Sequence, residues 1–242
     1  MTFPMQDHHL DAAISGLLER GGFDAQQLDN DETYLLGQLL KRRFDTSGSL
    51  NDLQWALNYL LRAVQDTPRS SSSRGPRLQF LAESLLQAVE QMEPGEATDL
   101  VTSHLGAAQE WLAESLALAG PDRRASCRSS LGMALMLRFV YLGEADAVPG
   151  ALAELRGACD EAADPEVAAA CYGNYGKGLL LVSTPGEPPP ALGDAVAAFR
   201  RAFELSPAGS PDHLAHTRNL ISALDEAGEH AEAEALRHEL RR

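Results

Sequence analysis

Few residues in this chain have types and spacing that would do chemistry. His213 and His216 stand three apart, as two metal ligands on one helix would. They follow Pro211-Asp212, and no carboxylate or thiol partner completes a ligand set, so an exposed helix start is expected there. His8-His9 reads as a disordered terminus, and no HExxH or CxxC pattern occurs. Gly173-Asn174-Tyr175-Gly176-Lys177-Gly178 invites a phosphate-loop reading. That loop needs four residues between its first glycine and Gly-Lys, then Ser or Thr, all after a strand, and none of this holds. Packing glycines are expected instead. Ser126, Ser129 and Ser130 lie near Arg123, Arg124 and Arg128, but a nucleophile needs a base and a third group to orient it, and no such set is present. Carboxylate pairs such as Glu226 and Glu229, or Glu232 and Glu234, read as solvated faces. The sequence therefore assigns no catalytic residue, no metal ligand and no cofactor, and it reads as non-enzymatic.

Composition narrows the classes further. The 242 residues carry 35 acidic and 20 basic side chains, a net charge of -15. Duplex binders present a basic face, so nucleic acid is not an expected partner. With 44% hydrophobic and 23% charged residues the chain has a globular mix, which excludes wholesale disorder, collagen and coiled coil. Cys127, Cys159 and Cys171 are odd in number and widely spaced, so they read as small buried residues of a reduced protein, not as a disulfide framework. The opening MTFPMQDHHLD lacks a basic segment followed by an apolar one, so no secretory signal is expected. Leu131 to Val140 is interrupted by Arg138, and Gly178 to Val182 is only five residues, so no membrane span is expected. A cytoplasmic location is the expectation.

The elements that would position any site are helices. Apolar residues recur at three- and four-residue spacing, as in Leu35, Leu36, Leu39, Leu40 and in Leu53, Ala56, Leu57, Leu60, Leu61. Breakers fall at Gly21-Gly22, Asp45 to Ser49, Pro68 to Pro76, Glu93 to Glu96, Gly120-Pro121, Pro149-Gly150, Pro165, Pro185 to Pro190 and Pro207 to Pro211. About eleven helices are predicted between them, with a mobile loop at Ser70 to Gly75 and Pro149 in the first turn of its helix.

The helices repeat. LGQLLKRRF at Leu36 to Phe44 aligns with LGMALMLRF at Leu131 to Phe139. Gly37, Gly132 and Gly176 are each followed 19 residues later by an alanine, Ala56, Ala151 and Ala195, and a diverged copy runs from Ala82 to Val101. The copies are offset by 45, 50 and 44 residues. Further columns agree: Leu36, Leu81, Leu131, Tyr175; Leu40, Leu85, Leu135, Leu179; Leu60, Leu105, Leu155, Phe199; Ala63, Ala108, Ala158, Ala202. Small residues let two antiparallel helices approach closely, and the large ones fill the groove to the next hairpin. A single hairpin leaves one face bare, so neighbours must stack.

These columns resemble the tetratricopeptide repeat (TPR), with its large residue then Gly, its later Ala residues and its closing Pro. The last copy has the family's spacing, Leu220, Ile221, Leu224, Gly228 and Ala233, twelve after Ile221. Earlier copies carry seven more residues at the turn, as in FDTSGSLNDL, and so resemble the long-turn bacterial arrays that often accompany CHAT domains. The closing proline stands at Pro68 and Pro207, gives way to Ala113 in the second copy and is displaced to Pro165 in the third. The resemblance implies an all-α fold of antiparallel helix hairpins in a right-handed superhelix. It would form a single array over residues 1–242, with a partial leading repeat at 7–30 and repeats at about 31–75, 76–124, 125–167, 168–213 and 214–242.

In TPR arrays the first helix of each repeat lines the concave face, where peptides bind. Carried over residue by residue, this implies a groove including Tyr34, Gln38, Lys41, Arg42, Glu83, Met133, Met136 and Lys177, with Arg218, Ser222, Asp225 and Glu226 at an acidic end. Methionine suits adaptable contacts, although burial of Met133 and Met136 is an equal expectation. The paired Lys and Asn residues of the family's carboxylate clamp are not found. The expected function is a non-enzymatic scaffold holding a protein or peptide, with a basic segment favoured by the net charge. Two alternatives stand beside it: a small-molecule regulator or enzyme with a pocket near Met133, Met136 and Lys177, and a regulatory subunit of a separately encoded effector. The sequence closes within the last hairpin, so Leu236 and Leu240 are expected to have an open side and to support a homodimer.

Overall fold

The structure, a computed structural model, describes residues 4–22, 25–182 and 191–241. Eleven helices account for it: α1 Pro4–Gly21, α2 Asn30–Ser47, α3 Leu50–Gln65, α4 Arg74–Glu90, α5 Thr98–Ala117, α6 Pro121–Leu142, α7 Ala147–Glu161, α8 Pro165–Leu181, α9 Leu192–Leu205, α10 Pro211–Glu226 and α11 His230–Leu240. No strand occurs among the described residues. The chain divides into two compact units, Met1–Met92 and Glu93–Arg242. In the first, α1, α2, α3 and α4 pack each on the next. In the second, α5 packs on α6, the hairpins α6/α7, α8/α9 and α10/α11 follow, and the first helices α6 and α8 also touch.

Local chemistry starts and stops these helices where the breakers predict. Asp29 caps α2 by accepting from Glu32 N at 2.8 Å, while the Glu32 carboxylate accepts from Asp29 N at 3.3 Å, a reciprocal capping box. Asp164 caps α8 by accepting from Glu166 N and Val167 N, and Ser210 caps α10 by accepting from His213 N. Pro121, Pro165 and Pro211 occupy the first turns of α6, α8 and α10, where no N–H is missed. Helices α2 and α6 end on left-handed glycines, Gly48 and Gly143, both at φ 71°. Each stands at the same place in its repeat.

Three hairpins have a close crossing of their first and second helices at a glycine. A Cβ at Gly37 would lie 2.7 Å from Leu60 Cγ, one at Gly132 2.6 Å from Leu155 Cγ, and one at Gly176 2.8 Å from the Phe199 ring. Leu60, Leu155 and Phe199 are the same column of the repeat, so the register is confirmed in both units. Around these crossings Leu36, Ala56, Ala63, Ala151, Ala158, Ala195 and Ala202 are fully buried.

Two expectations change and one holds. His8 and His9 lie within α1, whose Ile14 and Leu17 are buried against α2 and α3. Pro149 stands in the first turn of α7, as expected. The Ser70 to Gly75 segment is tied down: Ser71 Oγ and Ser73 Oγ are 2.8 Å apart, and Arg74 Nη1 donates to the carbonyls of Thr67 and Val64. The predicted break at Pro185 to Pro190 lies outside the described residues.

Candidate functional site

The residues that suggested chemistry serve packing instead. Ser129 and Ser130 are buried within α6, not on an exposed helix start. Ser129 Oγ accepts from Asn174 Nδ2 of α8 at 3.0 Å, and Ser130 Oγ donates to the Ser126 carbonyl. Arg128 is held by Glu154 and Glu161, both at 2.8 Å. Gly176 and Gly178 are packing glycines in the middle of α8; a Cβ at Gly178 would meet Leu155 Cδ1 at 2.7 Å. The three cysteines are free and buried. Burial pushes the Cys159 thiol up to about 12 and the Cys171 thiol up to about 11, with each far from nucleophilic at neutral pH.

The histidine pair is not the exposed helix start expected. His213 Nδ1 sits 2.9 Å from Ser206 Oγ with its ring against Phe203. His216 is buried against Gly173, where a Cβ would fall 2.7 Å from the imidazole Cε1. Its Nδ1 is buried without a hydrogen-bond partner, as is that of His104 in α5. Desolvation holds both imidazoles below their ordinary value; at His216, Lys177 and His213 add to this and Asp212 opposes it. No group of three or more metal-ligating side chains occurs among the described residues.

The expected groove residues separate into used and unused. Tyr34 meets Phe80 edge-on and carries the Arg77 guanidinium over its ring at 4.8 Å. Lys41 is engaged by Asp45 of its own helix, at 2.8 Å, and lies over the Phe44 ring. It is therefore not the free cation expected. Glu83 accepts from Gln79 Nε2. Met136 is fully buried, close to Gly178 and Leu155, because α6 and α8 approach across that glycine; it lines no open groove. The pocket expected around Met133, Met136 and Lys177 loses that residue too. Gln38 and Met133 are half-buried, and Arg42 and Lys177 are exposed. Leu236 is buried in the core of α8, α9, α10 and α11, so it has no open side, because it packs with Leu220, Leu224 and Ala233. Leu240 is 38% exposed, so of the two residues expected to support self-association only Leu240 has an open side.

Most basic side chains are spoken for: Arg43 by Asp52 and Asp11, Arg138 by Glu144, Arg200 by Glu232, Arg237 by Asp225 and Glu234. Among the described residues, five enter no ion pair and no side-chain hydrogen bond: Arg42, Arg69, Arg156, Lys177 and Arg218. Arg42, Lys177 and Arg218 lie on first helices at expected groove positions.

Among the described residues of the second unit, clefts also lie elsewhere. One, about 390 Å³, lies at the starts of α6 and α8 and is lined by Asp122, Glu161 and Asp164 among small residues. Its carboxylates have structural work, Glu161 pairing with Arg128 and Asp164 capping α8. Another, about 290 Å³, is lined by Arg156 of α7, Tyr172 and Tyr175 of α8, and Asp194, Ala197 and Ala198 of α9. Sequence reasoning missed this cleft. Its signal was faint: two tyrosines three apart in a helix otherwise rich in Ala and Gly.

No family model matches the chain, and no curated protein matches it. Solved structures do. A crystal structure of the Podosopora anserina protein described as a kinesin light chain with nearly identical TPR-like repeats matches at TM-score 0.52 and 17% identity, over 86% of this chain and 94% of that one. A variant of the same protein matches at TM-score 0.54, again with 17% identity and the same coverage. At this identity the likeness establishes the fold: the chain is an all-α protein of TPR-like helical repeats.

Proposed function

We propose that this repeat protein is a non-enzymatic scaffold that holds a segment of a partner protein on the first helices of its repeats. One observation carries the reading. In a chain that pairs most of its basic side chains internally, Arg42 on α2, Lys177 on α8 and Arg218 on α10 are left free, all at positions where a TPR-like array would meet a ligand. The net charge of -15 favours approach of a segment with basic residues, while these local cations would hold its carboxylates or backbone carbonyls. Rigid helices present such side chains with little ordering cost on binding. Gly37, Ala82, Gly132 and Gly176 share one repeat register along the sequence. Free, buried cysteines support a reducing compartment such as the cytoplasm. No described helix is long and apolar enough to cross a membrane.

The test is capture from native lysate read by mass spectrometry, comparing the wild type with Arg42→Glu, with Lys177→Glu and with Met133→Asp. All three positions are at least partly exposed, so helicity and melting should be retained. A partner held by wild type and lost by the folded charge variants is the expected result. A partner held equally by all of them would withdraw the first-helix assignment.

A further inference from the structure

We propose that the cleft between α7, α8 and α9 is a separate binding site for a peptide segment carrying an acidic and a basic side chain close together in its sequence. The cleft gathers polar groups that have no partner. Among the described residues, Arg156, Asp194, Tyr172 and Tyr175 make no ion pair or side-chain hydrogen bond, and all four line one space of about 290 Å³. Neighbouring charges in this unit behave differently. Arg128 is shared by Glu154 and Glu161, and Arg200 is taken by Glu232. Arg156 and Asp194 border the same cleft without closing on each other. An occupant bearing one carboxylate and one cation satisfies both, and a guanidinium fork favours a planar carboxylate.

The walls suit a chain. Tyr172 and Tyr175 are partly buried against the Cys159–Cys171 core, and Tyr175 also against the core around Phe199, so their rings are held while they line the cleft. Tyrosines fixed in this way give flat amphipathic contact at low entropic cost. Ala197 and Ala198 add no bulk, which leaves room for a backbone to approach. Asp194 stands in the first turn of α9, where the helix end favours a negative charge. The cleft is open-sided and small, matching two side chains of a passing segment. A site that engulfs a whole ligand is usually larger and more apolar. It is distinct from the first-helix face, because Tyr172 and Tyr175 share one side of α8 and Lys177, five residues after Tyr172, lies on the other.

The experiment selects peptides from a random twelve-residue displayed library on the full chain and measures the enriched peptides by fluorescence polarisation. The expected peptides share a carboxylate and a cation within a few residues of each other. Arg156→Glu should weaken them at least about tenfold, and the swap Arg156→Glu with Asp194→Arg should prefer peptides with the two charges exchanged. Lys177→Glu should leave them unchanged. Arg156 and Asp194 are exposed, so these variants should stay folded, with a slightly lower melt where Asp194→Arg puts a cation at the start of α9, and circular dichroism verifies that. The proposal is overturned if no peptide is enriched, if enriched peptides share no paired charges, or if Arg156→Glu binds them as wild type does. Loss of binding in Lys177→Glu alone would move the peptides to the first-helix face. Displacement by free zwitterionic amino acids at about 1 mM would replace the peptide with a small ligand.

Discussion

In the N-terminal unit the seam between α2 and α4 is filled by a guanidinium. Arg77, 5% exposed, donates to Thr67 Oγ1 at 2.9 Å and to the Asp31 carboxylate, and stacks over Tyr34. Thr67 in turn accepts from Asn30 Nδ2, and Arg62 reaches Thr33 Oγ1 and the Ala25 carbonyl. In the C-terminal unit the seam between α6 and α8 is closed by shape: Gly178 admits Leu155 and Met136, and Gly173 of the same helix admits the His216 ring of α10. The crossings inside the hairpins are alike in both units, glycine against a large apolar residue. Thus the repeat conserves how a hairpin closes and varies how hairpins join. A polar seam demands a full set of partners, because a buried donor left unmet costs free energy. A glycine seam demands volume, because packed interiors yield little.

The largest expected effect breaks the shared part. Gly132→Leu would drive a side chain into Leu155 Cγ at 2.6 Å and against the Ala151 carbonyl and Leu155 amide at 3.0 Å. Backbone atoms cannot step aside, so the loss should lie toward the upper end of about 1–3 kcal/mol for overpacking. It is read from the urea midpoint, and an unchanged midpoint would mean the crossing is not tight. Gly178→Leu sharpens the comparison, since it strikes a seam between hairpins and meets side-chain ends, Leu155 Cδ1 and Met136 Cε, that can shift. A smaller loss, about 1–2 kcal/mol, is expected. Equal losses would show that the joins are as rigid as the crossings.

Arg77→Leu tests the polar seam. It removes one charged hydrogen bond, one ion pair and a ring contact, but Asp31 keeps access to water, so no charge is stranded. The expected cost is about 1–2 kcal/mol. Amide exchange should rise in α4 with α8 and α9 unaffected, and spread into the second unit would show that the seam acts beyond its own repeat.

Sequence made the crossings readable because they are a periodic property: Gly37, Gly132 and Gly176 recur with Leu60, Leu155 and Phe199 at fixed spacing. The seams are not periodic. Nothing in the SSSSRGPR segment indicates that Arg77 turns inward to Thr67, since an arginine near a proline reads equally well as solvated. The groove was half legible for the same reason. Repeat register placed Arg42 and Lys177 on first helices. It did not show that Asp45, one turn on, would occupy Lys41, or that Gly178 would let α6 approach and enclose Met136. The Arg156–Asp194 cleft joins three helices from two repeats, and no single-repeat pattern contains it.

The smallest expected effect separates the two seams by their response to acid. The polar seam of Arg77, Thr67, Asn30, Asp31 and Tyr34 contains no histidine, the side chain that switches charge near neutrality. Gly173, by contrast, draws His216 into a dry seam with Nδ1 unmet, and burial favours its neutral form. The unfolded chain takes up a proton as pH falls below the ordinary imidazole value of 6.5, while the native chain does not until lower pH. Stability from this group is therefore fully present above 6.5 and declines as the solution is acidified. His104 contributes with the same sign, for the same cause. Denaturation midpoints should fall from about pH 7.5 to about pH 5.5 in the wild type and fall less in His216→Gln. Lys177→Glu should also flatten the slope, since it replaces a charge that opposes protonation with one that favours it. An equally steep slope in His216→Gln would remove this histidine from the account. A slope lost in His216→Gln but kept in Lys177→Glu would trace the effect to burial alone, making the glycine seam the source of the unit's acid sensitivity.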